Sequence, residues 1–158
     1  LNVDGAFDNT FDISGSDIDD YVSTLTIQSD GKILAGGMFT AGVVRLDSSG
    51  AQDGTFSTGT GLVGWSGPAD VFAIYEQADH SLLIGGFFSS YNGSNKSCLV
   101  RVSSTGALDA TFAGTGVYGK FKSVNAIAED TSGSSVALGG NFTLFNGQKT
   151  GAFFSLGL

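Results

Sequence analysis

Four carboxylates crowd one short stretch near the start of the chain, DISGSDIDD at residues 12–20: Asp12, Asp17, Asp19 and Asp20. Carboxylate oxygens are the hard ligands that Ca²⁺ prefers, so this stretch is a candidate calcium site. Its spacing differs from that of an EF-hand loop, which ends in a bidentate glutamate. The alternative interpretation is an acidic loop that faces solvent, the usual role of a charge run. No other cofactor is predicted.

Acid–base or nucleophilic catalysis would draw on the single histidine and the single cysteine, His80 and Cys98. His80 occupies a hairpin-turn position that holds Gly31 in an earlier repeat, with no nucleophile at local spacing. Cys98 precedes an apolar strand, where a cysteine is typically a small buried hydrophobe, and one cysteine cannot form an internal disulfide. The two glutamates, Glu76 and Glu129, stand in equivalent repeat positions. These patterns predict a protein that is not an enzyme.

Ligand binding is the better supported chemistry, because aromatic rings and amides occur in loops at 57–70, 89–98 and 143–151. Rings can stack on sugars or fill a pocket of a protein partner, and amides can hydrogen-bond to either. The candidate binding residues are Trp65, Tyr91, Asn92, Asn95, Phe145 and Asn146. The alternative is that these side chains pack locally within their own loops.

Composition excludes several classes of partner. The net charge is −8 and the seven Lys and Arg residues are scattered, which argues against binding to nucleic acid or to anionic membrane surfaces. No run approaches the roughly 18 apolar residues of a membrane-spanning helix, so no membrane insertion is predicted. The 25 glycines, 13 phenylalanines and single proline are typical of short strands joined by tight turns.

A threefold internal repeat positions the candidate residues. Its hairpins are VSTLTIQSDGKILAGGMF at 22–39, VFAIYEQADHSLLIGGFF at 71–88 and VNAIAEDTSGSSVALGGNF at 124–142. Short apolar strands follow at 43–47, 99–103 and 153–157. The glycine pairs of the hairpins stand 49 and 54 residues apart, which gives a period of about fifty residues. A glycine pair inside a strand indicates a β-bulge or the close approach of a neighbouring element.

A turn frame, Gly-x-x-Asp-x-Thr-Phe, is also written three times, at 5–11, 50–56 and 106–112. Its glycine can adopt the positive φ that a tight turn demands. Its aspartate can accept a hydrogen bond from the backbone two residues on, as in an Asx turn. Its phenylalanine (Phe11, Phe56 or Phe112) is expected to anchor the chain in the core.

The hairpin strands are apolar on both faces, which indicates sheets buried on both sides. In the second hairpin, alternation places Val71, Ala73 and Tyr75 on one face and Phe72 and Ile74 on the other. Stacked blades or stacked repeats bury sheets in this way. The predicted fold class is therefore all-β, with three antiparallel repeats of about fifty residues in a propeller-like arrangement. A pseudo-threefold, β-prism-like arrangement of three sheets is the alternative.

These motifs resemble the delta-60 repeats, a family that belongs with the β-propeller repeats. The resemblance rests on SDGKILAGGMF at 29–39, YNG at 91–93, FNG at 145–147, VRLDSSGAQDGTF and VRVSSTGALDATF. Unit one lacks the YNG loop, and unit three has Ser155 where the other units have Arg45 and Arg101. The resemblance implies non-catalytic modules of large bacterial surface or secreted proteins, and of phage tail or fibre proteins.

Residues 1–158 are predicted to form one repeat domain with units 12–56, 57–112 and 113–158. Segment 1–11 corresponds to the last piece of unit three. It could return to its own chain and close a ring, or complete unit three of a neighbouring copy, so that two chains form six blades. An open repeat array exposes strand edges, which favours closure or a partner. The expected partners are further copies of the chain or other subunits of a larger assembly.

The predicted function is a non-catalytic structural or interaction module of a surface assembly. That assembly is a phage virion (a tail, fibre or decoration protein) or a bacterial surface. The alternative is a carbohydrate- or receptor-binding module that holds a glycan or a cell-surface receptor in its inter-strand loops. Both functions predict an extracellular location, at a cell surface or on a virion.

Overall fold

The computed structural model describes residues 4–112, 114, 116–131 and 133–157. Strands of the three large sheets are β1 (Tyr21–Ile27), β2 (Ile33–Met38), β3 (Val43–Leu46), β5 (Asp70–Glu76), β6 (Leu82–Phe87), β9 (Leu99–Val102), β11 (Ser123–Glu129), β12 (Ser135–Asn141) and β15 (Phe153–Gly157). Shorter strands are β4 (Leu62–Val63), β7 (Ser90–Tyr91), β8 (Ser94–Asn95), β10 (Val117–Tyr118), β13 (Leu144–Phe145) and β14 (Gln148–Lys149). Within these ranges, the chain has no helix with the length and hydropathy needed to span a bilayer.

Each repeat forms one antiparallel sheet in which the third strand pairs with the second strand of the hairpin. Sheet one has the order β1-β2-β3, sheet two β5-β6-β9 and sheet three β11-β12-β15. Units two and three add a small sheet, β4-β7-β8 and β10-β13-β14. The YNG motif joins β7 to β8 and the FNG motif joins β13 to β14, and unit one lacks this motif. The predicted all-β, propeller-like fold of three antiparallel repeats is confirmed.

A β-bulge interrupts the hairpin of every large sheet. The register shifts between Val22 and Thr24, between Val71 and Ala73, and between Val124 and Ala126. The second glycine of each pair lies against the bulge. A β-carbon at Gly86 would overlap the carbonyl oxygen of Asp70, and the corresponding glycines of the other hairpins are equally close to backbone. The bulge predicted from the glycine pairs is confirmed.

The bulge also changes which side chains share a face. Strict alternation places Val71 with Ala73, but the extra residue, Phe72, brings Val71 onto the same face as Ile74. Both side chains point at sheet one, because a β-carbon at Gly36 would lie 2.7 Å from Cγ1 of Val71 and 3.0 Å from Cδ1 of Ile74. The predicted face of Val71 was wrong, since one inserted residue reverses the side-chain alternation that precedes it.

The two faces of each sheet differ in composition, and they are named here after their residues. The glycine faces carry Gly36 and Val43 in sheet one, Gly85 and Leu99 in sheet two, and Gly139 and Phe153 in sheet three, paired across neighbouring strands. The valine faces carry Val22 and Leu25, Val71 and Ile74, and Val124 and Ile127. The glycine face of one sheet packs on the valine face of the next, since Gly36 meets Val71 and Gly85 meets Val124.

Two apolar clusters fill the spaces between the sheets. The first, between sheets one and two, includes Leu34, Leu82, Ile84 and Val100. The second, between sheets two and three, includes Leu83, Leu99, Val136 and Leu138. A smaller third cluster lies on the valine face of sheet one, where Ile18 from the acidic stretch covers Val44 and Leu46.

The outermost faces of the array remain partly open. Leu25 on the valine face of sheet one is 65% exposed, whereas its equivalent Ile74 is 7% exposed. On the glycine face of sheet three, Phe153 is 66% exposed, whereas its equivalent Leu99 is fully buried. A pseudo-threefold arrangement would bury both faces on each other, so these exposures fit an open propeller-like array.

The segment before sheet one does not pair with sheet three in the described structure. Residues 4–11 form turns and no strand, and residues 1–3 of the predicted segment 1–11 lie outside the described residues. The predicted core anchoring holds for Phe56 and, in part, for Phe112. It fails for Phe11, which is 37% exposed. Phe56 and Phe112 lie between two sheets, whereas Phe11 precedes the first sheet.

Candidate functional site

The four predicted calcium ligands are directed to separate partners. Asp19 accepts hydrogen bonds from the backbone N–H (3.0 Å) and the hydroxyl (2.7 Å) of Thr40, which hold its pKa below the ordinary value. Asp12 accepts from Ser14, Asp17 from Gln52, and Asp20 from the backbone N–H of Tyr21. Among the described residues, no group of three or more His, Cys, Asp or Glu side chains is arranged to hold a metal ion. The hydrogen bonds to Thr40 and Gln52 instead attach the acidic stretch to the loops that follow β2 and β3.

Two of the six predicted binding residues are core residues. Tyr91 is fully buried, and its hydroxyl donates to the carbonyl oxygen of Gly106 at 2.5 Å. Burial raises the pKa of Tyr91, so the hydroxyl keeps its proton and remains a donor. Phe145 occupies the equivalent position in unit three and stacks on Phe154 with ring centroids 4.5 Å apart. Neither ring is presented to a ligand at the surface.

The three predicted asparagines are exposed near the short strands of the small sheets. Asn92 adopts a positive φ of 44°, and its side-chain oxygen accepts from the backbone N–H of Thr60 at 3.2 Å. Asn146 has a similar φ of 49° in the equivalent FNG turn, and Asn95 lies on β8. Asn92 therefore shapes the loop that contains Thr60.

Trp65 lines an open cavity of about 550 Å³ between units two and three, called here the aromatic groove. The groove is lined by Trp65, Phe72, Phe87, Gly119, Lys120, Phe121, Lys122, Ser123, Asn125 and Asn141. Lys122 places its Nζ 3.3 Å from the centroid of the Trp65 ring, and Lys120 lies over Phe121 at 5.4 Å. Both rings remain partly open to solvent, since Trp65 is 45% and Phe121 is 73% exposed.

The aromatic groove combines three kinds of binding group. Trp65 and Phe121 are exposed rings, Asn125 and Asn141 supply amides, and the two lysines supply positive charge in a chain of net charge −8. A ligand with a flat apolar face and a negative group fits this chemistry. Trp65 is the one residue of the six predicted binders that lines the groove. Sequence reasoning missed the two lysines of the groove. The tetrapeptide GKFK at 119–122 could have indicated them, because it places two of the seven basic residues around a phenylalanine.

A second polar cluster joins the hairpin turns of units one and two. Nδ1 of His80 lies 3.1 Å from Oε1 of Glu76 and 3.4 Å from Oγ of Ser29. Burial raises the pKa of Glu76, but hydrogen bonds from the Ser29 backbone, His80 and Gln28 outweigh this and hold it below the ordinary value. Both neighbours of the imidazole meet the same nitrogen. A serine–histidine–carboxylate relay uses both ring nitrogens, so this arrangement is a hydrogen-bonded contact between units.

The turn frame forms an ion-paired corner in units one and two. Oδ1 of Asp109 accepts from the backbone N–H of Thr111 at 2.7 Å, which confirms the predicted Asx turn. Oδ2 of Asp109 pairs with Arg101 at 2.6 Å, and the guanidinium lies 5.3 Å from the centroid of Phe112. Hydrogen bonds from Thr111 and the pairing with Arg101 lower the pKa of Asp109 to about 2.

The corner of unit one repeats this arrangement. Arg45 pairs with Asp53 at 2.9 Å, and Asp53 also accepts from the Thr55 backbone at 2.9 Å. The frame at 5–11 keeps the Asx turn, with Asp8 bonded to Thr10, and the glycines of all three frames have the predicted positive φ of 83°, 89° and 87°.

A family model described as a β-propeller domain of unknown function, DUF5122, matches residues 28–56 and 77–112. Each matched stretch starts at the buried glutamine that follows the first hairpin strand and ends at the phenylalanine of the turn frame. The two matches lie in the same phase of units one and two and together cover less than half of the chain. Residues 28–56 and 77–112 are therefore similar to β-propeller repeats. No curated protein and no solved structure matched it.

Proposed function

We propose that the chain is a non-catalytic structural and interaction module, and that the open faces at the two ends of its array are its contact surfaces. One observation carries the proposal. The apolar positions that are buried between sheets in the middle of the chain are exposed at its ends, as Leu25 and Phe153 show against Ile74 and Leu99. Exposed apolar patches on a protein surface mark sites of association.

The chemistry of the end faces supports a protein partner over a small ligand. On the same face as Leu25, Val22 is 43% exposed and Ile27 is 76% exposed. These side chains form a row along one strand rather than a concave pocket. Flat apolar surfaces of this kind are covered by other protein surfaces, whereas small ligands bind in clefts.

The finer proposal is that the assembly is a virion or a bacterial surface structure. It rests on the resemblance of the hairpin, YNG and turn-frame motifs to the delta-60 repeats. Antibodies raised against the purified chain should label intact virions or unpermeabilised cells of the source in electron micrographs. Labelling that requires disruption of the particle or cell would contradict a surface location.

A carbohydrate- or receptor-binding function is the second candidate, and the aromatic groove favours it. Aromatic faces stack on pyranose rings, and lysines pair with the carboxylates of acidic sugars. Trp65 is the single tryptophan of the chain, so its fluorescence reports on the groove directly. Titration with an oligosaccharide that contains glucuronate should shift this emission, and a neutral oligosaccharide of the same length should shift it less.

Matched variants separate specific binding from a solvent effect. Lys122→Met keeps the length of the side chain but removes the charge from the Trp65 face, so it should weaken the response to the acidic oligosaccharide about tenfold or more. Lys149→Met, on exposed β14 outside the groove, should leave it unchanged. Equal responses from both variants would show that the aromatic groove is not the binding site.

A further inference from the structure

We propose that a second copy of this chain covers the open end faces, with the valine face of sheet one of each copy packed on the glycine face of sheet three of the other. The inference rests on the proposed function and specifies its partner and register. The chain contains this interface twice already, between sheets one and two and between sheets two and three. Each copy therefore carries both halves of a third interface of the same kind.

Gly139 is the receiving half of the missing contact. At Gly36 and Gly85, a β-carbon would lie within 3.0 Å of side chains of the following sheet. At Gly139, the equivalent position in sheet three, nothing lies within 4 Å. The absence of a side chain at Gly139 leaves the same space for an incoming valine that Gly36 leaves for Val71.

Val22 and Leu25 are the inserting half. Their equivalents Val71 and Ile74 are buried against Gly36, but Val22 and Leu25 are both exposed. In the proposed register, Val22 and Leu25 of one copy meet Gly139 of the other. Sheets one and three both carry the β-bulge that sheet two has at the internal interfaces.

The side chains around these positions are complementary in size and polarity. The internal interfaces place Glu76 and Glu129 at the end of the first hairpin strand, where they meet polar groups such as Gln28 and the Tyr75 hydroxyl. Unit one has Ile27 at that position, and sheet three has Ala128 where sheet two has Tyr75. At the proposed interface, Ile27 and Ala128 would therefore stand where Glu129 and Tyr75 meet between sheets two and three. Ala126 and Ala137 are also small, which leaves room beside Phe153.

The turn frame at 5–11 points to the same interface. Gly106 and Gly50 in the other frames lie against backbone, of Ser57 and Asp12 respectively, whereas Gly5 has nothing within 4 Å. Phe56 and Phe112 insert between two sheets, and Phe11 is left exposed. A second copy would supply the sheet that Phe11 lacks.

The proposed contact joins two different surfaces, so two copies form two equivalent interfaces and a ring of six large sheets. Head-to-tail contacts of this type either close into rings or extend into filaments. Six blades lie within the usual range of closed β-propellers. The ring is therefore the expected product at low concentration.

Complementary variants test the register. Leu25→Arg blocks the valine face of sheet one, and Gly139→Arg blocks the glycine face of sheet three. Because every interface of the ring uses one face of each kind, either variant alone should have the light-scattering mass of one chain, whereas the unmodified chain has that of two. An equimolar mixture should recover a species of two chains, since one interface then contains two intact faces.

Folding and charge effects are controlled within the same set. Gly139 has no positive φ and no near neighbour, so arginine fits there without internal conflict, and circular dichroism should be unchanged. Gly54→Arg makes the same substitution at an equally open glycine in the corner of unit one and should leave the dimer intact.

The remaining outcomes overturn the inference in distinguishable ways. A dimer that Leu25→Arg disrupts and Gly139→Arg does not would be a symmetric contact between two valine faces, and the proposed interaction module would stand. An unmodified chain with the mass of one copy up to high concentration would overturn the second copy as occupant. The proposed function would then depend on surface labelling alone.

Discussion

Gly85 lies directly against Val124, and a β-carbon on the glycine would stand 2.6 Å from Cγ1 of the valine. This contact sets the distance between sheets two and three. The same slot is occupied at Gly36 and open at Gly139, so this position distinguishes a glycine face that another sheet covers from the open glycine face of sheet three.

Gly85→Ala should destabilise the chain by about 1–3 kcal/mol, the usual range for overpacking a close contact. Gly139→Ala makes the same chemical change in open space and should be neutral, or should stabilise by up to about 1 kcal/mol through the unfolded state. Urea unfolding of both variants at a concentration that keeps the chain monomeric gives the comparison. Equal losses would mean that the alanine effect is one of backbone propensity and not of sheet packing.

Tyr91→Phe should cost about 1–3 kcal/mol, because it leaves the buried carbonyl of Gly106 without its donor. The ring itself is retained, so the core stays filled. Tyr21→Phe removes a hydroxyl from an exposed ring and serves as the matched control, with a change near zero. The difference between the two urea midpoints measures the buried hydrogen bond.

Acid should weaken the corner of unit two in a defined pH window. The pKa of Asp109 is about 2 in the folded chain and about 3.9 in an unfolded one. Its contribution is therefore present in full above pH 4 and is lost as the pH falls from about 4 towards 2. Asp109→Asn keeps the Asx-turn acceptor but removes the charge, so its urea midpoint should depend less on pH over this window.

Asp4→Asn, at an exposed aspartate before the first sheet, provides the control for the loss of one negative charge. Its midpoint should follow that of the unmodified chain from pH 7 to pH 2. A parallel decline for Asp109→Asn would show that the paired carboxylate does not govern the acid response.

The thiol of Cys98 should react slowly in the native chain. It is fully buried, and burial raises its pKa, so both access and thiolate fraction are low. Reaction with a chromogenic disulfide should be roughly tenfold or more faster after unfolding in urea. A native rate equal to the unfolded rate would show that the segment around Cys98 opens readily.

Features that depend on neighbouring residues were the most predictable from sequence. The Asx turns, the positive φ of the frame glycines and the bulges at the glycine pairs are set within a few residues of one hairpin or turn. Each of these motifs occurs three times in the chain, so the three copies support the same local prediction. These features were confirmed at the residues named.

Features that depend on contacts between distant residues were not predictable in the same way. Trp65 and Lys122 are 57 residues apart, and only the packing of unit two on unit three brings them together. Tyr91 and Phe145 stand in polar, glycine-containing stretches typical of loops, but their side chains are buried in the core. The face of Val71 depends on a single bulged residue, which strict alternation does not include.

Phe145 differs from its equivalent in unit two, Tyr91, in having no hydroxyl that needs a hydrogen-bond partner. In unit two, the Tyr91 hydroxyl is tied to the Gly106 carbonyl, so removal of the corner would strand a buried donor. Phe145 stands in the same place with no hydroxyl to satisfy, and its ring is held by Phe154 within its own unit. A turn frame that packs on Phe145 would therefore need no hydroxyl donor for its glycine carbonyl, whereas the frame of unit two depends on the one that Tyr91 supplies.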